Sequence, residues 1–232
     1  MKKENVSKIF QSIANKYDLM NDLMSFGLHR KWKSKLIDLI DLNLKKKNII
    51  LDLGCGTGDI ISQINNKSKL NSNYLAYLVD PNIEMMKYGI KKFKKKNILW
   101  VASYGEKLPF EDNKFDLVTM SFSLRNVESI KITLNEINRV LKKNGQFLCL
   151  EFGKIENLTI SSIYKIYSEN FIPELGKNIT GNKEAYKYLV ESIKRFPSQE
   201  EICKILKLRK FYNINYCNLN FGVAVIYSCR KK

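Results

Sequence analysis

The segment 48–59, NIILDLGCGTGD, most constrains what this chain can fold into, because a glycine-rich turn follows a short apolar run and precedes a helix-competent stretch. Ile49, Ile50, Leu51 and Leu53 are too few to make a helix alone and read as a buried strand ending near Asp52. Gly54, Gly56 and Gly58 let the backbone turn sharply and approach a ligand without Cβ interference. A dinucleotide-binding turn carries its third glycine three residues after the second, whereas here Gly58 follows Gly56 by two and position 59 is an aspartate. The run 74–79 (YLAYLV) reads as a second strand and ends on Asp80, at about the distance where a βαβ unit places its ribose-binding carboxylate. By itself the glycine loop is also compatible with a tight strand-to-helix turn that holds no ligand.

Helix and strand signals alternate from there. Asn82 is placed to cap a helix with Met85, Met86, Ile90 and Phe93 as its apolar positions. Residues 98–102 read as a third strand and 114–121 as a fourth, after a loop over 105–113. A helix carrying Ile130, Leu134, Ile137, Val140 and Leu141 precedes a fifth strand at 146–152, with Asn144 and Gly145 as the helix stop. Residues 198–208 open with a Ser-x-x-Glu capping box, and the runs near 210–217 and 221–229 predict a hairpin that gives the sheet an antiparallel edge. The fold class is therefore α/β, a doubly wound sheet. The chain reads as one domain over 1–232: a helical prelude at 1–44, a ligand-binding core at 45–153, a helical insertion at 154–195, and a last helix with the hairpin at 196–232. Ligands of open α/β sheets bind outside the carboxyl ends of the strands, so prelude and insertion are natural lids.

Composition narrows the function classes. Five cysteines (Cys55, Cys149, Cys203, Cys217, Cys229) form no CxxC pair or metal-like spacing and read as reduced thiols, with Cys149 in the core. No apolar run reaches the length of a membrane span, and no signal-peptide core is present. A soluble, cytoplasmic protein is expected. The net charge of +17 is compatible with a nucleic-acid partner, a basic face toward an anionic membrane, or the compositional bias of a lysine- and asparagine-rich chain. The lysines sit at presumed helix ends, loops and a tail without interleaved aromatics, which favours the compositional reading over nucleic acid.

The GxGxG spacing with a nearby acid resembles motif I of the methyltransferases that use S-adenosylmethionine. More specifically, the chain resembles the quinone C-methyltransferases of ubiquinone and menaquinone synthesis, the UbiE, MenG and Coq5 group. The resemblance covers almost the whole length. It is carried by YDLMNDLMSFGLHRKW at 17–32, LPF at 108–110, SFSLRNV at 121–127, RVLK at 139–142, LEF at 150–152 and TGNKEAYKYLVESIKRFPSQ at 180–199. It implies a Rossmann-like class I fold with seven strands and one antiparallel edge strand, an N-terminal helical lid, and S-adenosyl-L-methionine as cofactor. The implied reaction is methyl transfer to a ring carbon of a polyprenylated hydroquinone, either 2-polyprenyl-6-methoxy-1,4-benzoquinol or demethylmenaquinol. Thr57, Asp80, Tyr104, Gly105 and Ser121 match the family's cofactor-side positions, alongside Asp52, Gly54, Gly56 and Gly58 of the loop. Three departures stand out: Tyr104 where the family has a small polar residue, Lys143-Asn144-Gly145 in its Lys-Pro-Gly-Gly signature, and Gly153 where it has serine. The chain begins almost at the family block, which disfavours a transit peptide. A homodimer is the usual form of association, and contact with the inner membrane surface or a quinone-synthesis assembly fits the lipid substrate.

That chemistry asks for in-line positioning of ring carbon and methyl group, and for a hydroquinone oxygen to lose or share its proton. It asks for no metal. Arg125 can steady a developing phenolate or act through a water, although a guanidinium is a poor direct base; a salt bridge with Asp18 or Asp22 is its structural alternative. Tyr17 offers a phenol that relays a proton or bonds a quinol oxygen. His29, the single histidine, suits a general base when neutral and equally a structural hydrogen-bonding role. Asp52 can orient the glycine loop or approach the methionine ammonium through water. In the insertion, Ile160, Ile163, Tyr164, Tyr167, Phe171 and Ile172 form an apolar face that fits a polyprenyl tunnel or plain helix packing. Val6, Ile9, Phe10 and Ile13 fit a lid helix. Two other functions compete: a nucleic-acid methyltransferase, which lacks support from a catalytic-cysteine or Asn-Pro-Pro-Tyr type motif, and a non-catalytic partner of a quinone-synthesis assembly.

Overall fold

A computed structural model of the protein describes residues 17–42, 45–66, 73–92, 95–181 and 183–232, with the side chains of Tyr17, Asp18 and Thr180 left undescribed. The lid positions Val6, Ile9, Phe10 and Ile13, and Phe93, lie outside the described residues. The elements are α1 (Tyr17–Ser25), α2 (Leu28–Asp38), β1 (Asn48–Leu53), α3 (Asp59–Asn66), β2 (Tyr74–Asp80), α4 (Ile83–Lys92), β3 (Ile98–Ala102) and β4 (Phe115–Ser121). After a short 3-10 turn at Leu124–Asn126 come α5 (Ile130–Val140), β5 (Leu141–Phe152), α6 (Leu158–Ile166), a π-helical turn at Tyr167–Phe171, α7 (Ile172–Thr180) and α8 (Lys183–Arg195). The chain closes with α9 (Gln199–Leu208), β6 (Phe211–Leu219) and β7 (Ala224–Lys231).

The strands form one seven-stranded sheet in the order β3-β2-β1-β4-β5-β7-β6. β1 pairs with β2 and β4, β2 with β3, and β4 with β5, all in parallel. The antiparallel pairing expected at this side is present, but the reversed strand lies one place in from the edge: β7 runs against both β5 and β6. The cause is connectivity. The crossover through α9 delivers β6 to the outside, and a tight return with left-handed Asn220 and Phe221 sends β7 back into the gap.

Alternation along β1 sorts its side chains between two apolar layers. Leu51 and Leu53 join Leu134, Ile137, Val140, Ile202 and Leu206 of α5 and α9 on one face, whereas Ile50 joins Trp32, Leu36, Ile60, Ile61 and Met86 of α2, α3 and α4 on the other. β4 is buried on both faces through its first six residues, as a central parallel strand must be. A third cluster, Met20, Ile172, Ala185, Tyr186 and Val190, ties α1 to α7 and α8, so prelude and insertion pack on each other. The Ser198–Glu201 capping box forms as read, and Asn82 Oδ1 accepts from the N–H of Met85 at 3.1 Å.

One boundary differs. Asn144 and Gly145 do not stop a helix before the fifth strand; β5 already starts at Leu141, and they form an irregularity inside it, between the pairs Phe115↔Leu141 and Leu117↔Gln146. Asn144 takes a left-handed φ of 64°, and its Oδ1 accepts from the Tyr212 hydroxyl at 2.7 Å. Gly153 also has a packing reason: a Cβ there would fall 2.3 Å from Val225 Cγ2 and 2.7 Å from the Gly222 carbonyl oxygen.

Candidate active site

At the carboxyl end of the sheet, β1 runs into the glycine turn, where Gly54 and Cys55 donate their N–H groups to the Val79 carbonyl at 2.7 and 3.1 Å. Gly54, Gly56 and Gly58 have φ of 69°, 54° and 79°, a region costly to residues with a side chain. At Gly54 space forbids one as well, since a Cβ would sit 2.4 Å from that of Ser123. The Asp80 carboxylate at the end of β2 holds the turn from the other side: Oδ2 accepts from Gly56 N–H at 2.9 Å and Oδ1 from Asn82 N–H at 2.8 Å. Burial raises the pKa of Asp80, and these two N–H groups work against that shift.

A cleft opens over this turn, bordered by Gly54, Gly56, Asp80, Met85, Tyr104, Gly105, Ser121 and Phe122. These residues gather from the ends of four strands, β1 to β4, and the expected positions Gly54, Gly56, Asp80, Tyr104, Gly105 and Ser121 are among them. Thr57 and Gly58 do not border it. Thr57 is buried, and the tight packing of its carbonyl against Gly89 leaves no room for a Cβ on α4 there. Asp52 lies beneath the turn, fully buried, with Oδ1 accepting from Thr119 Oγ1 at 2.8 Å and Oδ2 without a hydrogen-bond partner. Desolvation pushes its pKa up to about 7, against the Thr119 bond.

The cleft fits the methyl donor on its own chemistry. Asp80 retains acceptor capacity beyond its two N–H bonds, the Ser121 hydroxyl is buried without a partner, and the apolar Met85 and the half-exposed Tyr104 ring offer flat surfaces. Among the described residues no group of His, Cys, Asp and Glu is placed to hold a metal ion.

A second cleft adjoins the first. It is bordered by Met20, Met24, Ser25 and His29 from the prelude, Phe122, Arg125 and Phe152 from the sheet ends, and Tyr164, Ile172, Tyr188 and Leu189 from the insertion. Arg125 and His29, two of the expected site residues, both border this cleft; the side chain of Tyr17 lies outside the described residues. With the side chain of Asp18 outside the described residues, Arg125 pairs with Glu151 and not with Asp22. Its Nη1 donates to Glu151 Oε1 at 2.7 Å and to the Phe122 carbonyl at 2.6 Å, and its backbone N–H donates to Glu151 Oε2 at 3.1 Å. The pair is almost fully buried, with side-chain exposures of 4% and 0%. The guanidinium also lies over the Phe152 ring, 5.1 Å from its centre. Asp22 instead pairs with Arg30. The one signal Glu151 carried was an acid inside the apolar run LCLEF, which asks for a buried cation without saying which.

His29 is 7% exposed, and its Nδ1 lies 2.8 Å from Ser25 Oγ, which itself donates to the Asn21 carbonyl at 2.6 Å. Burial and the nearby Lys33 charge hold its pKa below the usual range, so it is neutral at physiological pH. Tyr164 is pushed up to about 12 by burial and remains a phenol. Of the insertion's proposed tunnel face, Tyr164 and Ile172 line the cleft, while Ile163 and Phe171 are 64% and 56% exposed. Phe122, missed from sequence, separates the two clefts and takes a left-handed φ of 56°. Nothing in its residue type announces such a conformation, which costs roughly 1–2 kcal/mol for a residue with a Cβ.

The model of the ubiE/COQ5 methyltransferase family matches residues 1–231. The "Ubiquinone/menaquinone biosynthesis C-methyltransferase UbiE" of Rickettsia bellii is 46% identical over 235 aligned positions, covering 99% of this chain and 94% of that protein. Its counterpart in Rickettsia prowazekii is 44% identical, covering 97% and 92%. Among solved structures, an S-adenosylmethionine-dependent methyltransferase of Thermotoga maritima shares the fold with a TM-score of 0.70 at 17% identity, covering 98% of this chain and all of that one. The Haemonchus contortus phosphoethanolamine N-methyltransferase 2 in complex with S-adenosyl-L-methionine has a TM-score of 0.63 at 15% identity, covering 87% of this chain and 52% of the other.

Proposed function

The chain belongs to the ubiE/COQ5 methyltransferase family, and from that premise we propose that it transfers a methyl group from S-adenosylmethionine to a ring carbon of a polyprenyl hydroquinone held in the second cleft. The match over nearly the whole chain carries this reading, and two clefts meeting at Phe122 support it. When bound, the cofactor supplies an activated methyl group on a positively charged sulfur. Asp80 would accept from its ribose hydroxyls, Ser121 would offer its unpartnered hydroxyl, and Tyr104 would border the adenine. Asp52 lies beneath the loop, bonded to Thr119.

In the acceptor cleft, the Arg125 guanidinium, fixed by its ion pair with Glu151, donates to a quinol oxygen as negative charge develops there. Neutral His29 is the group able to take a proton, directly or through water, with Ser25 fixing its ring. Tyr17, at the start of α1, is assigned the relay role on the family motif alone. The apolar walls from Met20, Met24, Ile172 and Leu189 exclude water and suit the first prenyl units.

A polyprenyl quinol resides in a bilayer, so the protein must reach the membrane surface to collect it. No helix of the described residues is long and apolar enough to cross a membrane. Peripheral contact is supported by α6, which leaves Leu158, Ile163 and Ile166 exposed. The deciding experiment incubates purified protein with labelled S-adenosylmethionine and short-chain demethylated benzoquinol or naphthoquinol in separate reactions. Label in at least one ring product is the expected result. Label in neither, with the cofactor demonstrably bound, overturns the reading.

A further inference from the structure

Among the described residues, Phe122 alone borders both clefts. Its backbone is held in the left-handed region by bonds at both ends: its N–H donates to the Leu150 carbonyl at 2.7 Å, and its carbonyl accepts from Arg125 Nη1 at 2.6 Å and from Asn126 Nδ2 at 3.4 Å. An extended residue at the end of β4 would carry its side chain along the alternation of the strand, whereas this turn takes the ring out of that register. The ring is braced by Phe152 at 4.8 Å and Trp32 at 6.2 Å between centroids. It remains only half-buried, and its neighbour Ser121 presents an unpartnered hydroxyl to the cofactor cleft.

Methyl transfer demands that sulfur, methyl and ring carbon meet where the two clefts join. The wall at that junction is aromatic, and the nearest cation in the acceptor cleft, Arg125, is neutralised by Glu151. A positively charged sulfur brought there faces the negative π surface of an aromatic ring, an attraction that vanishes once the sulfur becomes a neutral thioether. We propose that the Phe122 ring contacts the cofactor's sulfonium from the wall shared by the clefts, so that the protein prefers the charged donor over its neutral product. The proposal rests on S-adenosylmethionine being the methyl donor.

The test measures dissociation constants of S-adenosylmethionine and S-adenosylhomocysteine by calorimetry for the full-length protein, Phe122→Leu and Phe122→Trp. Leucine keeps an apolar side chain and the same backbone strain but removes the π face. Phe122→Leu should bind S-adenosylmethionine about 3- to 30-fold more weakly, with S-adenosylhomocysteine affinity changed by less than about twofold. Phe122→Trp should keep or increase the preference for the charged ligand. Equal weakening for both ligands, or no change for either, overturns the proposal. So does loss of the preference in a folded Phe122→Trp, the deciding variant if Phe122→Leu shows no cooperative thermal transition. Wild-type protein that binds neither ligand refutes the cofactor reading instead.

Discussion

Asp52 and Arg125 show how single buried charges couple stability to function. The pKa of Asp52 is raised by desolvation to about 7 from an ordinary carboxylate value. The folded state therefore favours the protonated acid: its contribution to stability is complete below about pH 4 and is lost as pH rises through about 7. In the absence of cofactor, Asp52→Asn should flatten the thermal-stability profile over that window and raise the unfolding midpoint at pH 8 relative to wild type. A parallel decline in both proteins would show that Asp52 does not carry the effect. Arg125→Ala strands the Glu151 carboxylate in the interior and should cost about 3–5 kcal/mol in denaturant unfolding. The double variant Arg125→Met with Glu151→Gln should recover most of that stability without restoring turnover. Recovery of turnover as well would remove Arg125 from the chemistry and leave it a structural ion pair. From sequence, Arg125 was legible as a site candidate by its place after a strand end; its partner was not, because Glu151 lies 26 positions away and meets it only through the pairing of β4 with β5.

At the level of elements, the local signals were reliable where the chemistry is local. The glycine turn, the Asn82 cap and the Ser198–Glu201 box each depend on backbone groups within a few residues. The start of β5 failed for the same physical reason in reverse: Asn144-Gly145 has the signature of a helix stop, but α5 ends earlier and β5 tolerates the pair as an irregularity held by Tyr212. In α6, apolar residues lie on both sides, so periodicity did not reveal which side faces the cleft. Tyr164 lines it, and Leu158 at 84% and Ile166 at 65% exposure face away from the core. Replacing both with serine should reduce co-sedimentation with anionic phospholipid vesicles several-fold while leaving methylation of a short-chain, water-soluble quinol intact. Unchanged vesicle binding would assign the membrane contact to another surface.

On the scale of the whole molecule, ligand binding links the glycine turn to the ends of β2, β3 and β4, since the cofactor cleft draws on all of them. Saturation at about a hundred times the dissociation constant adds about 2.7 kcal/mol, which for a chain of this size should raise the unfolding midpoint by roughly 5–10 °C. Differential scanning fluorimetry with S-adenosylmethionine measures this, and no shift at a concentration shown by calorimetry to saturate would mean that the cleft is not coupled to global unfolding. By itself the sequence determined the α/β alternation, the strand-turn-helix that cradles a ligand, and the family, because these rest on local periodicity, backbone conformational limits and matched motifs. Only the tertiary structure decided that Glu151 neutralises Arg125, that β7 lies inside β6, and that Phe122 stands between the clefts. Those facts arise from strand order and register, which bring distant residues into contact by burying apolar faces, and no spacing along the chain encodes them directly.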